Sequence, residues 1–277
     1  MGPQRTSGIV GRWALGVALI VLHVFGPQET QAQFARDVGA RSRALAGSAE
    51  NSGAVPEAEF HMARLAYNTR GGCAGSRGFC NDWWAIDYPL AEMHFLPAVE
   101  RLTRISVSAD SRQLPITDPR IFDYPWLFVQ QVGQGNWQPS PHEAGLLREY
   151  LLRGGFLVVD DFHGDYEWQV FARTMQEILP GRPIVDIPED DMLTQILFSL
   201  DQRTQIPGER HLRYQSMEGP PRWAGIYDDE NRIMVAINFN IDMGDAWEHA
   251  DDPRYPAPMT ALAYRFGVNY VIYAMTH

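Results

Sequence analysis

Lysine is absent from all 277 positions, so the 23 basic side chains are all arginine and Schiff-base or lysine general-base chemistry is excluded. Cysteine occurs only as Cys73 and Cys80, within GGCAGSRGFC. Positive charge is also short: a formal net charge of −11 and a pI near 5.1 argue against nucleic acid as a partner, because phosphate binding needs clustered cations. After Phe25 no segment reads as membrane-spanning.

The one long apolar run, 13–25, follows Arg5 and Arg12 and precedes Gly26-Pro27 and a polar stretch ending in Thr30-Gln31-Ala32. It falls short of the roughly 20 residues that cross a bilayer as a helix. The layout is that of a secretory signal peptide, 1–32, cleaved after Ala32, with a retained N-terminal anchor as the alternative. No cysteine follows the run, which argues against lipid attachment. In an exported protein two nearby cysteines default to a local disulfide, here Cys73 with Cys80. Half of a metal site and a nucleophilic thiol are the competing readings, although zinc would need two further ligands and a tighter spacing.

Residues 33–59, rich in Ala, Ser, Gly and Arg, read as a flexible tether. The remainder, 60–277, suits one large domain. At 45% hydrophobic and 12% aromatic the chain can bury a sizeable core.

The centre of that domain is 140–165. Ser140 stands three residues ahead of Glu143 with Pro141 at the first helical position, the spacing of a capping box. Ala144, Leu147 and Leu151 recur at helical spacing, and Gly154-Gly155 ends the helix. Residues 156–159 are continuously apolar, as in a strand covered on both faces of a parallel sheet, and run into Asp160, Asp161, His163 and Asp165. Around this unit the pattern predicts strands over 60–67, 105–107, 126–132 and 184–187. Helices are expected over 88–103 and around Trp168, Phe171 and Met175. Residues 192–200 read as helical and 211–217 as extended. Residues 223–227 and 233–239 read as a hairpin that extends the sheet at one edge, and a helix closes the chain from about Met259. Alternating elements of this kind imply an α/β, three-layer domain with a mostly parallel sheet and an antiparallel edge hairpin.

In such sheets ligands bind beyond the carboxyl ends of the strands. There Asp160, Asp161, His163 and Asp165 could face Asn238, Asn240, Asp242, Glu248 and His249. Carboxylates with imidazole can hold a divalent cation, and Asp161, His163, Asp165 and Asp242 are the candidate ligands. The competing reading makes Asp160 and Asp161 caps of the following helix, with Asp242 and Glu248 capping locally. Trp168 and Trp223 read as core. Trp84, Trp137 and Trp247 lie in polar or Gly-rich stretches and read as a ligand-binding rim. His94 reads as structural, and His142 as exposed.

The segments RLAYN, DYPWLFVQ, GGFLVVDDFHG, WAGIYDDENRIMVAINFNIDMGDAWE and RFGVNYVIYAMTH, in this order, resemble the bacterial DUF4159 family across about 60–277. The resemblance implies a flavodoxin-like sheet of the class I glutamine amidotransferase-like group; it does not imply an activity. In true glutamine amidotransferases a cysteine occupies a sharp strand-to-helix turn. Here that turn, after Val159, holds Asp160, Asp161 and Phe162. The expectation is therefore a non-catalytic, exported and periplasmic domain that binds an envelope protein or small polar ligand and requires no cofactor. If anchored, it faces the periplasm. The alternative is a carboxylate- or metal-dependent hydrolase using Asp160, Asp161 and His163.

Overall fold

The computed structural model describes residues 58–67, 82–134, 137–214 and 219–277. The segments read as a signal peptide and, but for its last two residues, as a tether lie outside the described residues, as do Cys73 and Cys80 and any pairing between them.

Seven strands form one sheet: β1 (Met62–Ala66), β2 (Arg112–Pro115), β3 (Trp126–Gln130), β4 (Phe156–Phe162), β5 (Val185–Asp186), β6 (Arg222–Tyr227) and β7 (Ile233–Phe239). Their order is β2-β1-β3-β4-β7-β6-β5. Every neighbouring pair from β2 to β7 is parallel, whereas β6 runs antiparallel to both β7 and β5. The helices are α1 (Leu90–Thr103), α2 (Pro141–Leu152), α3 (Gly164–Ile178), α4 (Met192–Gln195), α5 (Glu209–Tyr214), α6 (Met243–Glu248) and α7 (Ala257–Thr276). None of them is long and apolar enough to cross a membrane.

Side-chain alternation divides the core into two. Trp126 and Phe128 of β3, with Phe156 and Val158 of β4, pack on one face with Phe95 and Val99 of α1 and Phe266 and Tyr270 of α7. Leu127, Val129, Leu157 and Val159 pack on the other face with Leu147 and Leu151 of α2 and Phe171 and Met175 of α3. Each such large apolar side chain contributes roughly 1.5–3 kcal/mol on burial. The central strands are therefore the most strongly held part of the fold. The capping box starts α2, with Ser140 Oγ accepting from Glu143 N and the Glu143 carboxylate from Ser140 N.

Three sequence expectations need correction. Residues 105–107 make only an isolated bridge, Phe60 to Val107, and β2 lies further on at Arg112–Pro115. Residues expected to be extended from His211 belong to α5. The helix expected over 192–200 is the single turn of α4. The hairpin does form the antiparallel edge of the sheet: β7 inserts beside β4, where its fully buried run satisfies both faces, and the short β5 closes that edge beside β6.

Candidate functional site

On the α1/α7 face, the apolar rows of four parallel strands end in polar side chains: Arg64 of β1, Gln130 of β3, Asp160 of β4 and Asn238 of β7. All four are fully buried. A buried charge is tolerated only when partnered, and the partners form a chain of contacts. Arg64 Nε donates to Glu92 Oε1 at 2.6 Å, and its Nη1 donates to the carbonyls of Trp84 and Ile86 and to Gln130 Oε1. Gln130 Nε2 donates to Asp87 Oδ2 at 2.5 Å. Asp160 Oδ2 accepts from the backbone N–H groups of Met243 and Gly244 at 2.8 and 3.0 Å, so β4 caps the start of α6. Asn238 Oδ1 accepts from the Tyr270 hydroxyl at 2.8 Å.

The backbone at this edge is unusual. Among the described residues, four of the six non-glycine positions with left-handed backbone are here: Asp87, Gln131, Asp161 and Asn240. Asp161, at φ 52°, lies within the irregularity that interrupts the β4–β7 register between Val159 and Phe162. Alternation alone would send its side chain toward the α2/α3 face. The left-handed turn brings it to the cleft instead. Gln131 Nε2 donates to Asp161 Oδ2 at 2.6 Å, and His163 Nε2 lies 3.1 Å from Asp161 Oδ1.

Three carboxylates from three segments meet there. Asp87 comes from the loop before α1, Asp161 from β4 and Asp242 from the start of α6. One oxygen of each lies within 4.8 Å of the others, and all three residues are buried. Burial, then the charges of Asp245 and Asp161, push the Asp87 carboxyl well above its ordinary range, against a downward pull from Arg64. Burial and the charge of Asp161 do the same to Asp242. Asp160 is pushed up to about 8 by burial first and Asp161 second, despite its two backbone donors. Asp245, Glu248 and His249 form a more exposed group around the last turn of α6.

Two glycines keep the cleft open. A Cβ on Gly208 would stand 2.6 Å from Asp242 Oδ2, 3.0 Å from Asp245 Oδ2 and 3.3 Å from His211 Nδ1. A Cβ on Gly244 would run into Asp87 Oδ2 and Gln130 Nε2. The His163 and His211 rings face each other at 4.4 Å between centroids. Burial works against the His163 proton, but the hydrogen bond and charge of Asp161 outweigh it and raise the imidazole above its ordinary value.

Of the residues singled out in the sequence, Asp161, His163 and Asp242 come together. Asp165 is exposed on the first turn of α3 and is not part of the cluster. Asp160 and Asp161 do not cap the following helix. Asp160 serves α6, while Gly164 N at the start of α3 donates to Asn240 Oδ1 and His163 N to Glu167 Oε2. Asp242 caps α6 locally through Asp245 N, whereas Glu248 sits at the far end of that helix. β4 continues through Phe162, so the strand-to-helix turn falls on His163 and Gly164.

Trp137 and Trp247 are each 1% exposed and form no open rim. Trp247 stacks on Phe95 at 4.1 Å, and Trp137 lies against Tyr67 beside a cavity of about 160 Å³. Trp84 is half-buried, and its carbonyl receives Arg64. Trp223 is buried, while half-buried Trp168 packs on Phe162 and Phe239 under the Arg222 guanidinium. His94 Nδ1 lies 2.8 Å from the Trp247 carbonyl, a structural contact, and His142 is exposed. Asp87, Gln130, Gln131 and Arg64 were missed. The one signal for Arg64 was an arginine inside the otherwise apolar strand MARLA.

The buried row, the left-handed strand ends and the cluster all lie within the region covered by one family model, a domain of unknown function (DUF4159), which matches residues 61–275. The chain belongs to the DUF4159 family. That match takes in every element of the sheet, so the cleft is part of the DUF4159 domain itself. No curated protein matches the chain.

Proposed function

We propose that this DUF4159 domain is an exported cell-envelope module that binds, without catalysis, a small polar ligand bearing positive charge at the carboxyl ends of β3, β4 and β7. We assign its sheet to the flavodoxin-like, class I glutamine amidotransferase-like group on the basis of the parallel run from β2 to β7. The observation that carries the binding reading is the convergence of Asp87, Asp161 and Asp242 from three segments at one sheet edge. Arg64 cannot neutralise them all, since it is committed to Glu92 and Gln130. The absence of cysteine or serine at the His163–Gly164 turn supports the non-catalytic form of the reading.

The test is a thermal-shift and calorimetry screen of the full chain against polar cations such as amino sugars, polyamines and basic amino acids. Binding that Asp161→Asn weakens at least tenfold is the expected result. If neither a polar organic cation nor a divalent metal ion stabilises the folded wild type, the reading fails.

One observation favours a second reading, hydrolysis. His163 is hydrogen-bonded to Asp161, the pairing that orients a general base. Under that reading the chain cleaves chromogenic ester or phosphoester substrates, and His163→Ala lowers the rate about a hundredfold or more, the usual range for general acid–base catalysis. Activity indifferent to His163→Ala would exclude it.

A further inference from the structure

We propose that Asp87, Asp161 and Asp242 form a site for one hard divalent cation of the calcium, magnesium and manganese class. This rests on the binding reading above and names the positive charge that the cleft takes.

The donors are all carboxylate oxygens, which suit hard cations rather than the thiolate- and imidazole-seeking metals. Their mutual separations, within 4.8 Å, match oxygens arranged around a single ion at calcium–oxygen distances of about 2.4 Å. Magnesium, with shorter bonds, draws them slightly closer. Each carboxylate is already oriented. Gln131 and His163 hold Asp161, Gln130 holds Asp87, and Asp245 N holds Asp242, as hydrogen-bond partners behind the ligands hold them in built metal sites.

Two further observations point to a missing positive partner. Asp160 Oδ1 is fully buried and makes no well-formed hydrogen bond, with only the Asn238 side chain as a nearby donor, although its sister oxygen grips Met243 and Gly244, the two residues directly after Asp242. Gln131 Oε1 is likewise without a partner, on the side chain that holds Asp161. Buried acceptors without donors are rare and costly, and these two belong to residues directly beside the cluster: Asp160 precedes Asp161, and Gln131 holds the Asp161 carboxylate. The space is kept clear as well, since any side chain at Gly208 would press on Asp242 Oδ2. The outer group, Asp245, Glu248 and His249, carries no such sign. Asp245 Oδ2 already accepts from Glu209 N at 2.6 Å.

The experiment strips the full chain with EDTA and titrates it calorimetrically with calcium, magnesium and manganese chloride separately. One equivalent of at least one ion binds and raises the melting temperature. Asp161→Asn suits the left-handed backbone and keeps an acceptor for Gln131, so it folds. It weakens binding roughly tenfold or more, as does Asp87→Asn, whereas Asp165→Asn leaves it unchanged. Gly208→Ala removes no ligand atom, yet also weakens binding. The proposal is overturned if the folded wild type takes up none of the three ions at millimolar concentration, or if Asp87→Asn and Asp161→Asn both bind like wild type. Should an organic cation bind where no metal does, the metal site fails and the broader binding reading survives. If neither binds, both fall.

Discussion

Gln131 and Asp161 hold each other twice: Gln131 N donates to the Asp161 carbonyl at 3.2 Å, and the Gln131 amide donates to the Asp161 carboxylate at 2.6 Å. Both residues have left-handed backbone, at φ 54° and 52°. For a residue with a Cβ that conformation costs roughly 1–2 kcal/mol. Gln131→Ala keeps the strain and loses the amide, whereas Gln131→Gly loses the amide but relieves the strain. Gln131→Gly should therefore be the more stable variant by about 1 kcal/mol in urea denaturation. Equal stability would show that the strand end relaxes in solution.

Arg64 and Glu92 form a buried pair through a single bond, Arg64 Nε to Glu92 Oε1. Arg64→Met alone leaves Glu92 unpaired in the core and should cost about 3–5 kcal/mol. The double variant Arg64→Met, Glu92→Leu should recover much of that loss. A double-mutant cycle by chemical denaturation measures the coupling, and additive losses would argue against it.

Asp160→Ala removes the acceptor for two buried backbone N–H groups at the start of α6, at about 1–3 kcal/mol each. Asp160→Asn retains an acceptor oxygen and should lose less. Hydrogen exchange at Met243 and Gly244 reads the effect directly. Unchanged protection in Asp160→Ala would rule out the capping role.

Asp228 sits in the β6–β7 turn, accepting from Glu230 N and Arg232 N and pairing with the Arg232 guanidinium. Its partial burial opposes ionisation, but the backbone donors from Arg232 and Glu230 and the charge of Arg232 prevail and lower its pKa below 3.8. A folded-state pKa below the unfolded one means that this contribution is complete well above 3.8 and disappears as pH falls through the lowered value. Stability should therefore drop on acidification below about pH 4 less in Asp228→Asn than in wild type. Parallel curves for the two proteins would contradict this.

What the sequence made legible was local and periodic. Ser140 with Glu143, the apolar run of β4 and the acidic turn between β6 and β7 each carry their own signal. β2 carries almost none, since only Leu114 of its four residues is buried. In α5 no residue is buried, so no apolar stripe marks it as a helix. The same logic holds at the site. Asp161 lies at the end of the apolar run of β4 and Asp242 just after β7, so both could be found by position. Asp87 lies in a loop and enters the cleft only because Gln130 and the closely approaching Gly244 bring it there. Trp247 misled because its neighbours in sequence are polar, whereas its neighbours in space are Phe95 and Phe128.

The grip of Asp160 on Met243 and Gly244 joins positions 83 and 84 residues apart in the chain. Loop closure over such distances comes late and slowly in folding. A chain emerging from synthesis therefore carries isolated, solvated aspartates until its last segment has docked. Only the finished domain then presents the cleft, so occupancy would report that folding is complete, and a chain cut short before α6 would have nothing to offer the ligand.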